Sequence, residues 1–145
     1  MHFQGQCWWI TGASSGIGAA LAQELGARGA RVILSGRDEA RLAEVAATIA
    51  TETLILPFDV RDEPAMLAAV ERALPWAAAN GGGIDGFVAN AGVSQRSRAT
   101  KTTMQVYRDI VEIDLLAQIA HTQALVPHMA ERGSGHLLFI SSIAG

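Results

Sequence analysis

The chain is 145 residues long and contains a single cysteine, Cys7. No internal disulfide or multi-cysteine metal site can form within it, and a reducing compartment suits it. Basic residues are scarce: eleven Lys and Arg against fourteen Asp and Glu give a net charge of -3, with no basic block. That removes the electrostatic footprint a nucleic-acid partner requires. No run of about 18 apolar residues exists to cross a membrane. The opening "MHFQGQ" has no charged stretch leading into an apolar one. These absences predict a soluble, cytoplasmic protein with no membrane or nucleic-acid partner. The histidines His2, His121, His128 and His136 show no metal-ligand spacing, so they read as surface or helix-packing residues and no metal is expected.

Half of the residues are hydrophobic, enough for a sizeable core, and the length suits one domain over residues 1–145. The apolar residues come in short runs. Cys7 to Ile10 is continuous and leads straight into a glycine turn, as a buried parallel strand does. Ile17, Leu21 and Leu25 then recur every fourth residue, the period of a helix packing on a sheet, and Gly26 and Gly29 punctuate its end. "RVIL" (Arg31 to Leu34) predicts a second strand, followed by a helix capped by Asp38 with Leu42, Val45, Ala46 and Ile49 on one face. "TLILPFDV" (Thr53 to Val60) and a helix through Met66, Val70 and Leu74 repeat the pattern. A fourth strand over Phe87 to Asn90, a long helix from about Met104 to Glu131 and a fifth strand over His136 to Ser142 complete it. Short strands alternating with helices specify an α/β fold with a doubly wound parallel sheet and right-handed crossovers, Rossmann-like.

On that skeleton, "TGASSGIG" (Thr11 to Gly18) occupies the first strand-to-helix turn. A glycine there can take positive φ, let the backbone approach a pyrophosphate and pack a helix close on a strand. The following helix aims its free amides and positive dipole end at the same place. Gly12, Gly16 and Gly18, with Ser14, Ser15 and Ile17 between them, therefore read as a dinucleotide phosphate site.

The spacing T-G-x-x-x-G-x-G resembles the short-chain dehydrogenase/reductase family, and the resemblance runs along the chain. Asp59-Val60 after the third strand, "ANAG" (Ala89 to Gly92) after the fourth and "ISSIAG" (Ile140 to Gly145) after the fifth are similar to the family's ordered landmarks. "NAGVSQRS" with "ALVPHM" looks most like its branch of member 7 proteins.

The resemblance implies a nicotinamide cofactor. An acid at the end of the second strand would favour NAD, whereas Ser35, Gly36 and Arg37 stand there. Arg37 suits a 2′-phosphate and predicts NADP, with NAD as the alternative, since Asp38 is adjacent and able to turn toward the ribose. By resemblance, Asp59 takes the adenine edge with Val60 alongside; Asp59 also reads as a turn-capping residue after Pro57 and Phe58. Asn90, Ala91 and Gly92 lie where the strand order reverses, small enough for the cofactor ribose to sit close. Ala89 replaces the family's usual Asn, and a sheet-stabilising contact is expected to be lost with it.

The family's chemistry interconverts an alcohol and a carbonyl of a small-molecule substrate, using Ser, Tyr, Lys and a supporting Asn. Ser142 matches the serine, and Asp114 falls at the Asn position, able to accept from water but lacking an amide donor. The Tyr and Lys would fall beyond Gly145; Tyr107 and Lys101 have neither the place nor the spacing. "HLLFI" would form an apolar sheet edge without a covering strand, so the residues are expected to be the first part of a longer protein or a processed fragment, with little turnover alone. Ala117, Ala120 and Ala124 give the long helix a small-residue face. With the family's use of this helix in subunit contact, that face predicts a homo-oligomer. The competing reading is a noncatalytic nucleotide-binding or scaffold module.

Overall fold

The computed structural model describes residues 3–79, 82–93 and 97–141. Strands β1 (Cys7–Ile10), β2 (Arg31–Leu34), β3 (Thr53–Ile55), β4 (Gly86–Ala89) and β5 (His136–Phe139) alternate with helices α1 (Gly16–Ala27), α2 (Glu39–Ala47), α3 (Glu63–Ala78), α4 (Met104–Val111) and α5 (Ala117–Arg132). The strands form one parallel sheet in the order β3-β2-β1-β4-β5. The chain winds from β1 to one side for two strands and then crosses to the other side for two more. That reversal beside β1 opens a crevice at the carboxyl ends of β1 and β4.

Around β1, β2 and β4 both sheet faces are covered, which is why these strands read as continuous apolar runs. Side chains alternate across a strand: Cys7, Trp9, Ile33 and Phe87 pack with α3 and α5, whereas Trp8, Ile10, Val32 and Val88 pack with α1 and α2. Burial pushes the Cys7 thiol up to about 12, so it is a small core hydrophobe and not a reactive thiol. At the amino ends of the strands, Asp85 Oδ2 accepts the Cys7 N–H at 2.8 Å while Arg132 donates to Asp85 Oδ1 at 3.1 Å and to the Ile84 carbonyl at 3.0 Å. The end of α5 is thereby tied to the start of β1 and β4.

Several local expectations are corrected. Of the expected face Ile17, Leu21 and Leu25, Leu25 is buried and Leu21 packs partly buried against the core, but Ile17 is not on it; Gly18, Ala22 and Gly26 complete the buried face of α1. Ile17 is 59% exposed. Small residues, which carry no periodic hydrophobic signal, let α1 lie close to the sheet. The same physics reassigns Ala117, Ala120 and Ala124: Ala117 is buried, Ala120 and Ala124 pack against the core cluster that holds Trp9 and Phe87, and the three do not present an outward small-residue face. The outward residues of this region are Leu115, Leu116, Ile119 and Val126. Strand β3 ends at Ile55, ahead of Pro57, which brings no N–H; Leu56 and Phe58 nevertheless continue the pairing to the Leu34 and Gly36 carbonyls at 2.9 and 3.0 Å.

The long helix runs unbroken from α4 into α5, but Glu112–Leu116 between them is a π-helical turn, which periodicity did not reveal. Strand β5 is an exposed apolar edge, with Leu138 45% and Phe139 47% accessible. Among the described residues, no helix is long and apolar enough to cross a membrane.

Candidate functional site

The crevice beside β1 is a cleft of about 270 Å³. Its lining brings together most of the predicted positions from four separate loops. Gly12, Ser14 and Ser15 come from the turn after β1, Arg37 from the end of β2, Asp59 and Val60 from the turn after β3, and Asn90, Ala91 and Gly92 from the end of β4. Gly16, Ile17 and Gly18 do not line the cleft; they form the first turn of α1. Ser142 lies outside the described residues.

The glycines are required for two different reasons. Gly12 and Gly16 have φ of +63° and +56°, where a side chain is strained. Gly18 has ordinary dihedrals but no room: a Cβ there would collide with the Gly12 carbonyl oxygen. A Cβ on Gly12 would meet Asn90 Nδ2 at 2.9 Å and the Ala91 backbone at 3.0 Å. The turn, the start of α1 and the end of β4 are thus pressed together at bare backbone.

The amino end of α1 is also left open. Asp38, Asp62 and Thr103 cap α2, α3 and α4 through their side chains, accepting backbone N–H groups at 3.1, 3.1 and 3.4 Å. Ser15, the N-cap of α1, makes no side-chain capping bond, and no acidic residue sits in the first turn. Free amides and the positive dipole end therefore remain available to an anion.

Thr11, which sequence reading left out of the site, is its main tie. Almost fully buried, it accepts the Asn90 and Ala91 N–H groups on its Oγ1 at 3.1 and 3.2 Å, and its own N–H donates to the Val88 carbonyl at 3.1 Å. The available signal was a hydroxyl ending an otherwise apolar strand just before the glycine turn. Asn90 adds Nδ2 to the Gly12 carbonyl at 3.1 Å. The side-chain contact expected to be lost with Ala89 is therefore balanced by two others at the same strand ends, and Ala89 itself is fully buried.

Asp38 is occupied as the α2 cap and pairs with Arg41 at 3.6 Å. Arg37 is exposed at the mouth of the cleft and makes no hydrogen bond or ion pair among the described residues. Its charge, together with the larger effect of hydrogen bonds from Arg61, holds the Asp59 carboxyl below the usual carboxylate range. Asp59 Oδ1 accepts the Arg61 N–H at 3.0 Å, the turn-capping geometry anticipated for it. Asp114 sits in the π-helical turn and accepts the Val93 N–H on Oδ1 at 2.8 Å, while Gln118 Nε2 donates to the Ala91 carbonyl at 3.1 Å. Together they grip the segment that follows β4. Below the cleft, His121 is buried against Trp9 and Phe87, with ring centroids 4.4 and 4.3 Å away, and its Nε2 has no partner among the described residues. Burial lowers its pKa to about 3, so the ring is neutral.

A doubly wound parallel sheet with a glycine turn at the reversal of strand order defines the Rossmann-like class. Comparison with known proteins narrows it. The sequence model described as short chain dehydrogenase matches residues 6–145. Dehydrogenase/reductase SDR family member 7B of Danio rerio is 37% identical over 94% of this chain and 46% of its own length. The human SDR family member 7 is 36% identical over 94% of this chain and 41% of its own. The crystal structure of a metagenomic short-chain oxidoreductase in complex with NADP superposes with a TM-score of 0.86 at 32% identity, covering 98% of this chain and 64% of that one. The chain belongs to the short-chain dehydrogenase/reductase family of oxidoreductases. It spans less than half the length of these curated relatives.

Proposed function

We propose that residues 1–145 form the cofactor-binding domain of an NADP-dependent oxidoreductase that interconverts an alcohol and a carbonyl on a small-molecule substrate. The observation that carries the reading is the bare-backbone cradle: Gly12 and Gly18 leave no space for a Cβ, and α1 opens onto it without a side-chain cap. Such a cradle fits a pyrophosphate, whose charge the free amides and helix dipole favour. The preference for NADP over NAD rests on Arg37, which has no ion-pair partner among the described residues at the end of β2, and on Asp38, which would have to give up the α2 cap to reach a ribose hydroxyl. In the proposal Asp59 and Val60 receive the adenine edge, and Asn90, Ala91 and Gly92 lie against a ribose.

When bound, the nicotinamide supplies hydride transfer. The residues of this chain bind and orient it. Thr11 and Asn90 fix the ends of β1 and β4, while Asp114 and Gln118 fix the segment after β4. Ser142 would donate a hydrogen bond to the substrate oxygen. The same proposal includes a cytoplasmic location, consistent with the single buried thiol, and a homo-oligomer. Support for the latter comes from the outward Leu115, Leu116, Ile119 and Val126. The second reading, a noncatalytic nucleotide-binding module, is favoured by one observation: the Asp114 carboxylate is already used to hold Val93.

The test is titration with NADPH and with NADH, followed by nicotinamide fluorescence, for the protein and for Arg37→Ala. Tighter binding of NADPH, lost selectively in the variant, is the expected result. Equal affinities unaffected by the substitution would remove the NADP assignment. Hydride transfer to a panel of aldehydes and ketones by the whole protein separates the enzyme from the noncatalytic module.

A further inference from the structure

The Asp59 carboxylate is held in a way that its exposure does not call for. It lines the cleft with its side chain only 32% accessible, and three donors of one neighbour fix it: the Arg61 backbone N–H and Nε on Oδ1 at 3.0 and 3.2 Å, and Arg61 Nη2 on Oδ2 at 2.8 Å. The fork-to-fork arrangement sets the plane of the carboxylate as well as its place. A carboxylate offers about four acceptor sites, so one remains on a side chain that faces a ligand space.

Arg61 itself lines an adjoining pocket of about 240 Å³, together with Arg37, Val93, Val106, Asp109 and Ile110, of which Arg37 and Val93 also line the cleft. The negative charges of Asp109 and Glu112 face it from α4 and the π-helical turn, as Asp59 does from its own turn. The one ion pair of the guanidinium among the described residues is with Asp59, and the charges of Asp109 and Glu112 add a weaker pull from the other side.

From this we infer that Arg61 is a positioning residue which, by locking the Asp59 carboxylate, makes the base end of the cleft selective for a purine carrying an exocyclic amine over one carrying a 6-oxo group. The inference rests on the proposed placement of the adenine edge at Asp59. A fixed acceptor pairs with an amine donor at no ordering cost, and it meets a 6-oxo group with lone pair against lone pair. A carboxylate free to swing toward solvent does neither.

The experiment compares NADPH with its hypoxanthine analogue, deamino-NADPH, by fluorescence titration of the wild type, Arg61→Gln and Arg61→Lys. The wild type should prefer the adenine nucleotide by about tenfold or more. Arg61→Gln should bring that ratio close to one, mainly by weakening NADPH, and Arg61→Lys should restore it only in part, because an ammonium cannot hold both oxygens in plane. A parallel loss for both nucleotides would show that Arg61 acts only as a charge, and a ratio unchanged in Arg61→Gln would show that Asp59 needs no holding; either overturns the inference alone. A wild type that binds NADPH without base preference removes the adenine edge from Asp59. One that binds neither nucleotide overturns the cofactor reading itself.

Discussion

Replacing His121 with Leu should flatten the acid side of the protein's stability curve. The ring is 2% exposed, packed among Trp9, Phe58 and Phe87, with Nε2 unpartnered. Burial lowers its pKa from 6.5 to about 3. The folded pKa is thus below the unfolded one, and between them the unfolded chain binds a proton that the folded chain refuses. Stability is full above about pH 6.5 and falls at about 1.4 kcal/mol per pH unit as the pH drops through that window, reaching a loss on the order of 4 kcal/mol near pH 3. That is a large share of the roughly 5–15 kcal/mol that stabilises an ordinary domain. Urea unfolding at pH 7, 6, 5 and 4, for the wild type and His121→Leu, isolates the contribution, because carboxylates and His128 contribute equally to both proteins and cancel in the difference. The variant should match or exceed the wild type at pH 7, since an orphaned buried nitrogen costing about 1–3 kcal/mol is removed. Its advantage should then grow steadily toward pH 4. A difference that stays constant across this range would refute the assignment of His121 as a buried neutral ring.

Three further outcomes are expected, two at the cleft and one at the sheet edge. Gly18→Ala should lower both thermal stability and NADPH affinity, whereas Gly16→Ala, with nothing within 4 Å of its Cβ, should cost only the positive-φ strain of about 1–2 kcal/mol; melting curves and titration distinguish them. Thr11→Val should destabilise by about 2 kcal/mol by taking the acceptor from the partly buried Asn90 and Ala91 amides, and Thr11→Ser should recover most of the loss in chemical denaturation. Phe139→Lys, placing charge on the exposed apolar strand β5, should reduce self-association of the 145-residue chain in light scattering.

The sheet was legible because its central strands β1, β2 and β4 are buried on both faces and stand as unbroken apolar runs between glycine and polar turns, and β5, exposed though it is, is an apolar run as well. "TGASSGIG" fixed the crevice because a glycine cluster between a strand and a helix has few other physical uses. What escaped reading depends on contacts between distant residues. Most of the buried face of α1 is glycine and alanine, and on α5 alanines share it with His121, Leu125 and Met129, so hydrophobic periodicity pointed to Ile17 and left Ala117, Ala120 and Ala124 looking outward. Thr11 earns its role only from Asn90 and Ala91, some eighty residues away. The Arg61 clasp on Asp59 was close in sequence, but "DVRD" carries no pattern that separates a clasp from a solvated pair.

The π-helical turn at Glu112–Leu116 holds one more residue per turn than the α-helices on either side of it. The surplus is taken up locally: the wider winding of the π-turn makes its five residues rotate the chain about as far as four α-helical residues at about 100° each, so α4 and α5 keep the phase of one continuous helix. Deleting one residue there would close the turn to ordinary α geometry and leave Val106, Asp109 and Ile110 on the wall they share with Arg37 and Arg61. What would move are the residues of the turn itself, Asp114 and its hold on Val93 among them. The widened turn thus sets the reach of Asp114 toward the segment after β4 without deciding which side of α4 looks onto the ligand space.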